Sequence, residues 1–184
     1  TCRALESLIG KRAIKSMSLE KARASKLLKI QNYKSSYFRT LRQMVDFDLI
    51  SKSGLRFAHD ALFGVGARCF EELLDGTNCE VRTFNAEHDP NFGGLCPEPI
   101  ERNYTKSHTA LKKKPADFCL VTDGDADRIG GMDGRGNALT THQIVCLLLE
   151  HFLNNRRGKG RVVKSLTTTS MVDVMCERHQ LPLT

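Results

Sequence analysis

From residue 55 onward the chain alternates short apolar runs with stretches of helical composition, and this alternation restricts it to a few architectures. Residues 55–60 read as a strand that ends in a turn carrying Gly64 and Gly66. A helix over about 67–75 follows and is stopped by Gly76. Residues 78–84, with β-branched and aromatic content, form a second strand. A long Pro- and Gly-dense loop over 85–103 leads to a helix near 104–113. The run Asp-Phe-Cys-Leu-Val-Thr at 117–122 is then a buried strand. Residues 129–132 continue as a strand that turns at Asp133-Gly134. Thr140 and Gln143 make a capping box for a helix to about residue 154. Residues 161–166 read as another strand, and Ser170 with Asp173 caps a last helix to about residue 179. The pattern predicts an α/β fold with a mainly parallel or mixed sheet and flanking helices.

Residues 1–45 are less patterned. Their composition predicts helix over 1–25 with a break near Gly10, a short strand at 27–31, and a helix at 36–44 with Tyr37, Leu41 and Met44 on one side. They carry eleven Lys or Arg against two Glu, whereas the whole chain of 184 residues has a net charge of +7. A basic arm suits nucleic acid, but its aromatics are few and bunched and no nucleic-acid motif accompanies them. A solvated helix face or a surface meeting another domain is expected instead, with no nucleic-acid partner. No apolar run approaches membrane-spanning length. The seven cysteines are scattered, odd in number and free of any C-x-x-C pair, as in reduced thiols of a cytoplasmic protein.

The chemistry concentrates in Thr-Asp-Gly-Asp-Ala-Asp-Arg at 122–128. Asp123, Asp125 and Asp127 stand at alternate positions, and the small spacers Gly124 and Ala126 let the backbone curl so that three carboxylates converge. Three hard oxygen donors suit Mg²⁺ or Ca²⁺ rather than zinc. Arg128 adds a fixed cation whose planar fork fits phosphate. An acidic surface turn is the plain alternative. An EF-hand is excluded, because the sixth and twelfth positions hold Arg128 and Gly134 where Gly and Glu are required. The setting favours a ligand site, since open α/β sheets bind ligands beyond the C-terminal ends of their strands. Three further features have structural readings. His59 and Asp60 are neighbours on a strand and face opposite ways, so they form no dyad. Gly64-x-Gly66 is a tight strand–helix turn. Glu98, held between Pro97 and Pro99, shapes the loop.

Four ordered stretches carry a resemblance. Phe-Ala-His-Asp-Ala-Leu-Phe-Gly-Val-Gly at 57–66, His-Asp-Pro-Asn-Phe-Gly-Gly-Leu-Cys-Pro-Glu-Pro at 88–99, Lys-Pro-Ala-Asp at 114–117 and the acidic loop together resemble the alpha-D-phosphohexomutase superfamily of phosphoglucomutases and phosphomannomutases. The resemblance covers roughly residues 45–180. It implies the tail of domain I with linker helices at 1–44, domain II with the metal-binding loop at 45–137, and the N-terminal part of domain III at 138–184. It also implies Mg²⁺ held by Asp123, Asp125 and Asp127, with Arg128 contacting phosphate. Hexose phosphates and bisphosphates are the implied substrates. The phosphoryl group would pass between C1 and C6 through a phosphoserine that has no counterpart in this chain. The chain is accordingly expected to be a middle portion of such an enzyme, inactive without the missing parts of domains I, III and IV. Two rivals are a mutase-like, non-catalytic binding module and a metal-dependent phosphatase. A phosphatase needs an aspartate nucleophile with distant acidic ligands, and no second acidic cluster is evident.

Overall fold

Parallel strands cannot be joined by a tight turn, so the segments between them must cross over the sheet and cover it. The computed structural model, which describes residues 1–184 except 12 and 14, shows how this chain does so. It divides into two units, residues 1–45 and 46–184. The first contains helices α1 (Cys2–Glu6), α2 (Leu19–Ala24) and α3 (Lys34–Met44). The second runs α4 (Phe47–Lys52), β1 (Arg56–Asp60), α5 (Cys69–Leu73), β2 (Glu80–Phe84), α6 (Thr105–Lys113), β3 (Phe118–Thr122), β4 (Ile129–Asp133), β5 (Ala138–Leu139), α7 (Thr141–Asn154) and α8 (Met171–Arg178). Two 3-10 turns, Phe92–Gly94 and Glu101–Asn103, lie in the long loop.

The sheet order is β2-β1-β3-β4-β5. β2, β1 and β3 are parallel, whereas β4 and β5 add on antiparallel. The fold is therefore α/β with a mixed five-stranded sheet, as the alternation predicts.

Strand alternation assigns the two faces. Ala58, Cys119, Val121 and Met132 turn to one side and form the main core with Leu62, Tyr104 and Leu111 of α6. Phe57, His59 and Thr122 turn to the other, where the Phe70 ring of α5 meets Phe57 edge-on at 5.7 Å and His59 at 4.8 Å. His59 and Asp60 are both fully buried and form no dyad. Asp60 instead ties three segments together. It accepts hydrogen bonds from Leu62 N (3.1 Å), Asn85 Nδ2 (2.8 Å) and Ser107 Oγ (2.6 Å), which fixes the turn after β1, the start of the long loop and α6.

Several expected elements differ. Residues 27–31 form no strand, because no neighbouring strand pairs with them among the described residues, and Leu27 and Ile30 are each 71% exposed. Among the described residues of 1–25, helix is confined to α1 and α2, and residues 12 and 14 lie outside them. In α3 the buried side chain is Phe38, while Tyr37 and Met44 are exposed. The helix expected over 67–75 is only α5, since Arg68 at φ 60° cannot continue a right-handed helix. Residues 161–166 make a single bridge, Val162 to Leu183. The Thr140–Gln143 capping box forms. The Ser170–Asp173 box does not: Thr169 Oγ1 accepts from Met171 N, and the Asp173 carboxylate pairs with Lys164 Nζ at 2.5 Å. The sequence reading also missed α4 and β5.

His59 supplies a pH dependence of stability. Its Nε2 lies 3.0 Å from Thr122 Oγ1, and its Nδ1 has no hydrogen-bond partner among the described residues. Burial lowers its pKa from 6.5 to about 4, against a smaller opposing effect of the Glu71 charge. The unfolded chain binds this proton first as pH falls. The contribution is therefore complete above about 6.5 and disappears between 6.5 and 4, amounting to about 3 kcal/mol. Urea denaturation from pH 7.5 to 4 should show a slope that His59→Leu flattens by that amount.

Candidate metal centre

β3 ends at Thr122, and the chain at once folds back on itself through residues 123–128 to enter β4. Ala126 takes a left-handed conformation at φ 62°, which curls the loop. The curl is fastened at its base. Asp123 N donates to Arg128 O (3.3 Å), Arg128 N donates to Asp123 Oδ1 (3.0 Å), and Ala126 N donates to Asp123 O (3.2 Å). Two outside segments pin the middle: Gly124 N donates to Pro97 O (3.1 Å), and Gly124 O accepts from Val65 N (3.0 Å). The turn after β1 and the long loop thus both grip the acidic loop. This use of the Gly64–Gly66 turn and of the Pro97–Pro99 segment was not legible as loop chemistry.

The alternate spacing brings the three carboxylates together. One oxygen each from Asp123, Asp125 and Asp127 lies within 4.8 Å of the others. Asp123 is fully buried at the base, while Asp125 and Asp127 are exposed. Arg128 stands against the cluster, with Nε 2.8 Å from Asp123 Oδ2 and 3.6 Å from Asp127 Oδ1. Its Nη1 is 3.6 Å from Glu98 Oε1.

The electrostatics follow from this crowding. Burial resists ionisation of Asp123, but the backbone and guanidinium hydrogen bonds from Arg128 outweigh it and hold the carboxyl below its usual range. Asp127 is pushed the other way, chiefly by the charge of Asp125, with desolvation and Asp123 adding to it. The hydrogen bond to Asp123 raises Arg128, helped by the charges of Asp123, Glu98 and Asp127. Three carboxylates against one guanidinium leave an excess of negative charge that a dication would offset. The donors are all hard oxygens, and each carboxylate oxygen of Asp123 keeps a second lone pair beyond its bond to Arg128. The residues present therefore fit Mg²⁺ by charge and donor type, with acid weakening the site as Asp127 takes up a proton.

Comparison with known proteins points the same way as the loop. A family model described as phosphoglucomutase/phosphomannomutase, alpha/beta/alpha domain II, matches residues 35–136. A probable phosphoglucosamine mutase of Methanosarcina acetivorans is 31% identical over 133 residues, covering 72% of this chain and 30% of that protein. A phosphopentomutase of Thermococcus kodakarensis is 30% identical over 127 residues, covering 69% of this chain and 28% of that protein. The crystal structure of a putative phosphomannomutase from Thermus thermophilus superposes with a TM-score of 0.75 at 31% identity, covering 84% of this chain and 36% of that one. The chain thus spans about 30% of the length of the curated relatives it matches.

Proposed function

Because the chain belongs to the phosphoglucomutase/phosphomannomutase family, within the alpha-D-phosphohexomutase superfamily, we propose that it supplies the metal cradle of a Mg²⁺-dependent sugar-phosphate mutase. The observation that carries this reading is the convergence of Asp123, Asp125 and Asp127 within 4.8 Å beside Arg128. Asp123, Asp125 and Asp127 would hold the ion, which would supply charge neutralisation and orientation to the transferring phosphoryl group. Arg128 keeps Nε on Asp123, and the remaining N–H groups of its planar fork donate to a phosphoryl oxygen. In this reading residues 1–44 are the tail of domain I, 45–137 domain II and 138–184 the start of domain III. A phosphoserine in domain I gives its phosphoryl group to a hexose 1- or 6-phosphate and takes back the other.

The sugar is left open by the same reasoning. Relatives of nearly equal similarity bear the names phosphoglucosamine mutase and phosphopentomutase, and this segment gives the ion and one phosphate donor rather than contacts to a sugar ring. All seven cysteines are free thiols, which accords with a reducing compartment such as the cytoplasm. No helix among the described residues is long and apolar enough to cross a membrane.

The test is a coupled assay with glucose 1-phosphate and mannose 1-phosphate, Mg²⁺ and the activating bisphosphate. The 184-residue chain alone should be inactive, because phosphoryl transfer depends on positioning groups that other segments provide. Joined to domains of a relative that complete the fold, it should turn over and stop with EDTA. Turnover by the isolated chain, or metal-independent turnover by the completed enzyme, would overturn the proposal.

A further inference from the structure

A guanidinium serves phosphate well only if its plane is fixed, and one anchor leaves it free to pivot. Asp123 anchors Arg128 through Nε. Asp127 Oδ1 lies on the same Nε side at 3.6 Å, whereas Glu98 Oε1 meets a different nitrogen, Nη1, at 3.6 Å. An exposed ion pair ordinarily contributes little, because ordering two long side chains costs what the attraction returns. The Glu98 side chain is 40% exposed, so its pairing needs a reason to persist.

The backbone provides that reason. Pro97 and Pro99 restrict the chain on either side of Glu98. Asn103, itself buried, donates from Nδ2 to Cys96 O (2.6 Å) and to Glu98 O (2.9 Å). Ile100 N donates to the same Glu98 carbonyl (2.8 Å). Pro97 O, one residue away, accepts from Gly124 N within the acidic loop itself. The packing is equally close: a Cβ on Gly124 would lie 3.1 Å from Pro97 Cγ and 3.2 Å from the Phe92 ring. The segment bearing Glu98 is thus part of the wall of the acidic loop, and its side chain is delivered to Arg128 by a fixed backbone.

We propose that Glu98 is a positioning residue: with Asp123 it clamps the Arg128 guanidinium from two sides, so that its plane is held fixed where phosphate binds. The clamp itself is a property of the free chain. Its use in phosphate binding rests on the mutase reading above.

The experiment is nitrogen-15 NMR of arginine side chains in the 184-residue chain, with the Arg128 signals identified by their loss in Arg128→Lys. Rotation about the Nε–Cζ bond of Arg128 should be slow in the parent and at least tenfold faster in Glu98→Ala. Glu98→Gln, which keeps length and loses charge, should fall between them, and Glu98→Asp should restore part of the restraint. The amide spectrum of residues 96–103 reports whether the backbone survives. If Glu98→Ala disturbs it, the Gln and Asp variants decide. A rotation rate within twofold of the parent in both Glu98→Ala and Glu98→Gln would overturn the proposal. Mn²⁺ added to the same samples separates the two readings. Failure of Mn²⁺ to broaden residues 123–128 counts against the metal cradle and leaves the clamp result standing, whereas an unrestrained Arg128 with normal Mn²⁺ broadening removes the clamp alone.

Discussion

Replacing Arg128 with alanine in a completed mutase should lower kcat/KM by roughly thirty- to a thousandfold while leaving Mg²⁺ binding largely in place. That range corresponds to about 2–4 kcal/mol, the usual value of a charged hydrogen-bond donor aimed at developing charge in a shielded site. The division of labour comes from the geometry. Arg128 contributes no oxygen to the cluster, and Asp125 and Asp127 reach the common point without it. Two effects on Asp123 oppose each other. Losing the guanidinium removes the bond that holds its carboxyl ionised, but the Arg128 backbone N–H still donates to Oδ1 at 3.0 Å and survives the substitution. Metal affinity should therefore shift modestly and turnover greatly. Arg128→Lys should recover little, because a point charge cannot meet Asp123 and phosphate with one planar fork. Steady-state kinetics with a parallel Mg²⁺ titration checks this, and turnover within threefold of the parent would remove Arg128 from the reaction.

Gly64→Val should damage the metal site from outside it. A Cβ on Gly64 would stand 2.6 Å from the carbonyl oxygen of Asp123, 2.7 Å from that of Gly124 and 2.9 Å from Gly124 Cα. All three are backbone atoms, so no rotamer change relieves the clash. The turn or the acidic loop must move, and the bond from Val65 N to Gly124 O is the first to be lost. The expected cost is about 1–3 kcal/mol of stability, as for other overpacked sites. Metal affinity should fall more than tenfold as the loop loses one of its two outside supports. Gly94→Asn is the control. Gly94 sits at φ 76° with open space around it, and asparagine tolerates that conformation. Its effect should be small on both counts. Thermal denaturation and Mg²⁺ titration of the two variants, side by side, test the contrast.

What the sequence disclosed and what it hid have physical reasons. The acidic loop was legible because its chemistry is local: three carboxylates, two small spacers and the preceding strand lie within eleven residues. The strands β1, β2, β3 and β4 were legible for the same reason, as short apolar runs bounded by turns. Residues 27–31 and 161–166 carry similar composition. Strand composition is not sufficient without a neighbour to pair with, and pairing is a tertiary fact. Tyr37 and Met44 satisfy helical periodicity and are nonetheless exposed, whereas Phe38 is buried. Glu98 shows the same limit within the site. It stands 30 positions from Arg128 in the chain, so only the folded long loop brings their charges to 3.6 Å. Asp60 likewise reads as an ordinary acidic residue at a strand end, and its three hydrogen-bond donors come from residues 62, 85 and 107.

The central claim is that Asp123, Asp125 and Asp127 form one divalent-cation site, and Mn²⁺ relaxation enhancement in the nitrogen-15-labelled 184-residue chain tests it most directly. Selective broadening of amides 123–128 is expected, with weaker effects at Gly64, Val65 and Glu98. Excess Mg²⁺ should reverse it, a drop in pH should diminish it as Asp127 protonates, and Asp125→Asn combined with Asp127→Asn should abolish it. Broadening centred elsewhere, or broadening of the loop that survives the double substitution, would contradict it.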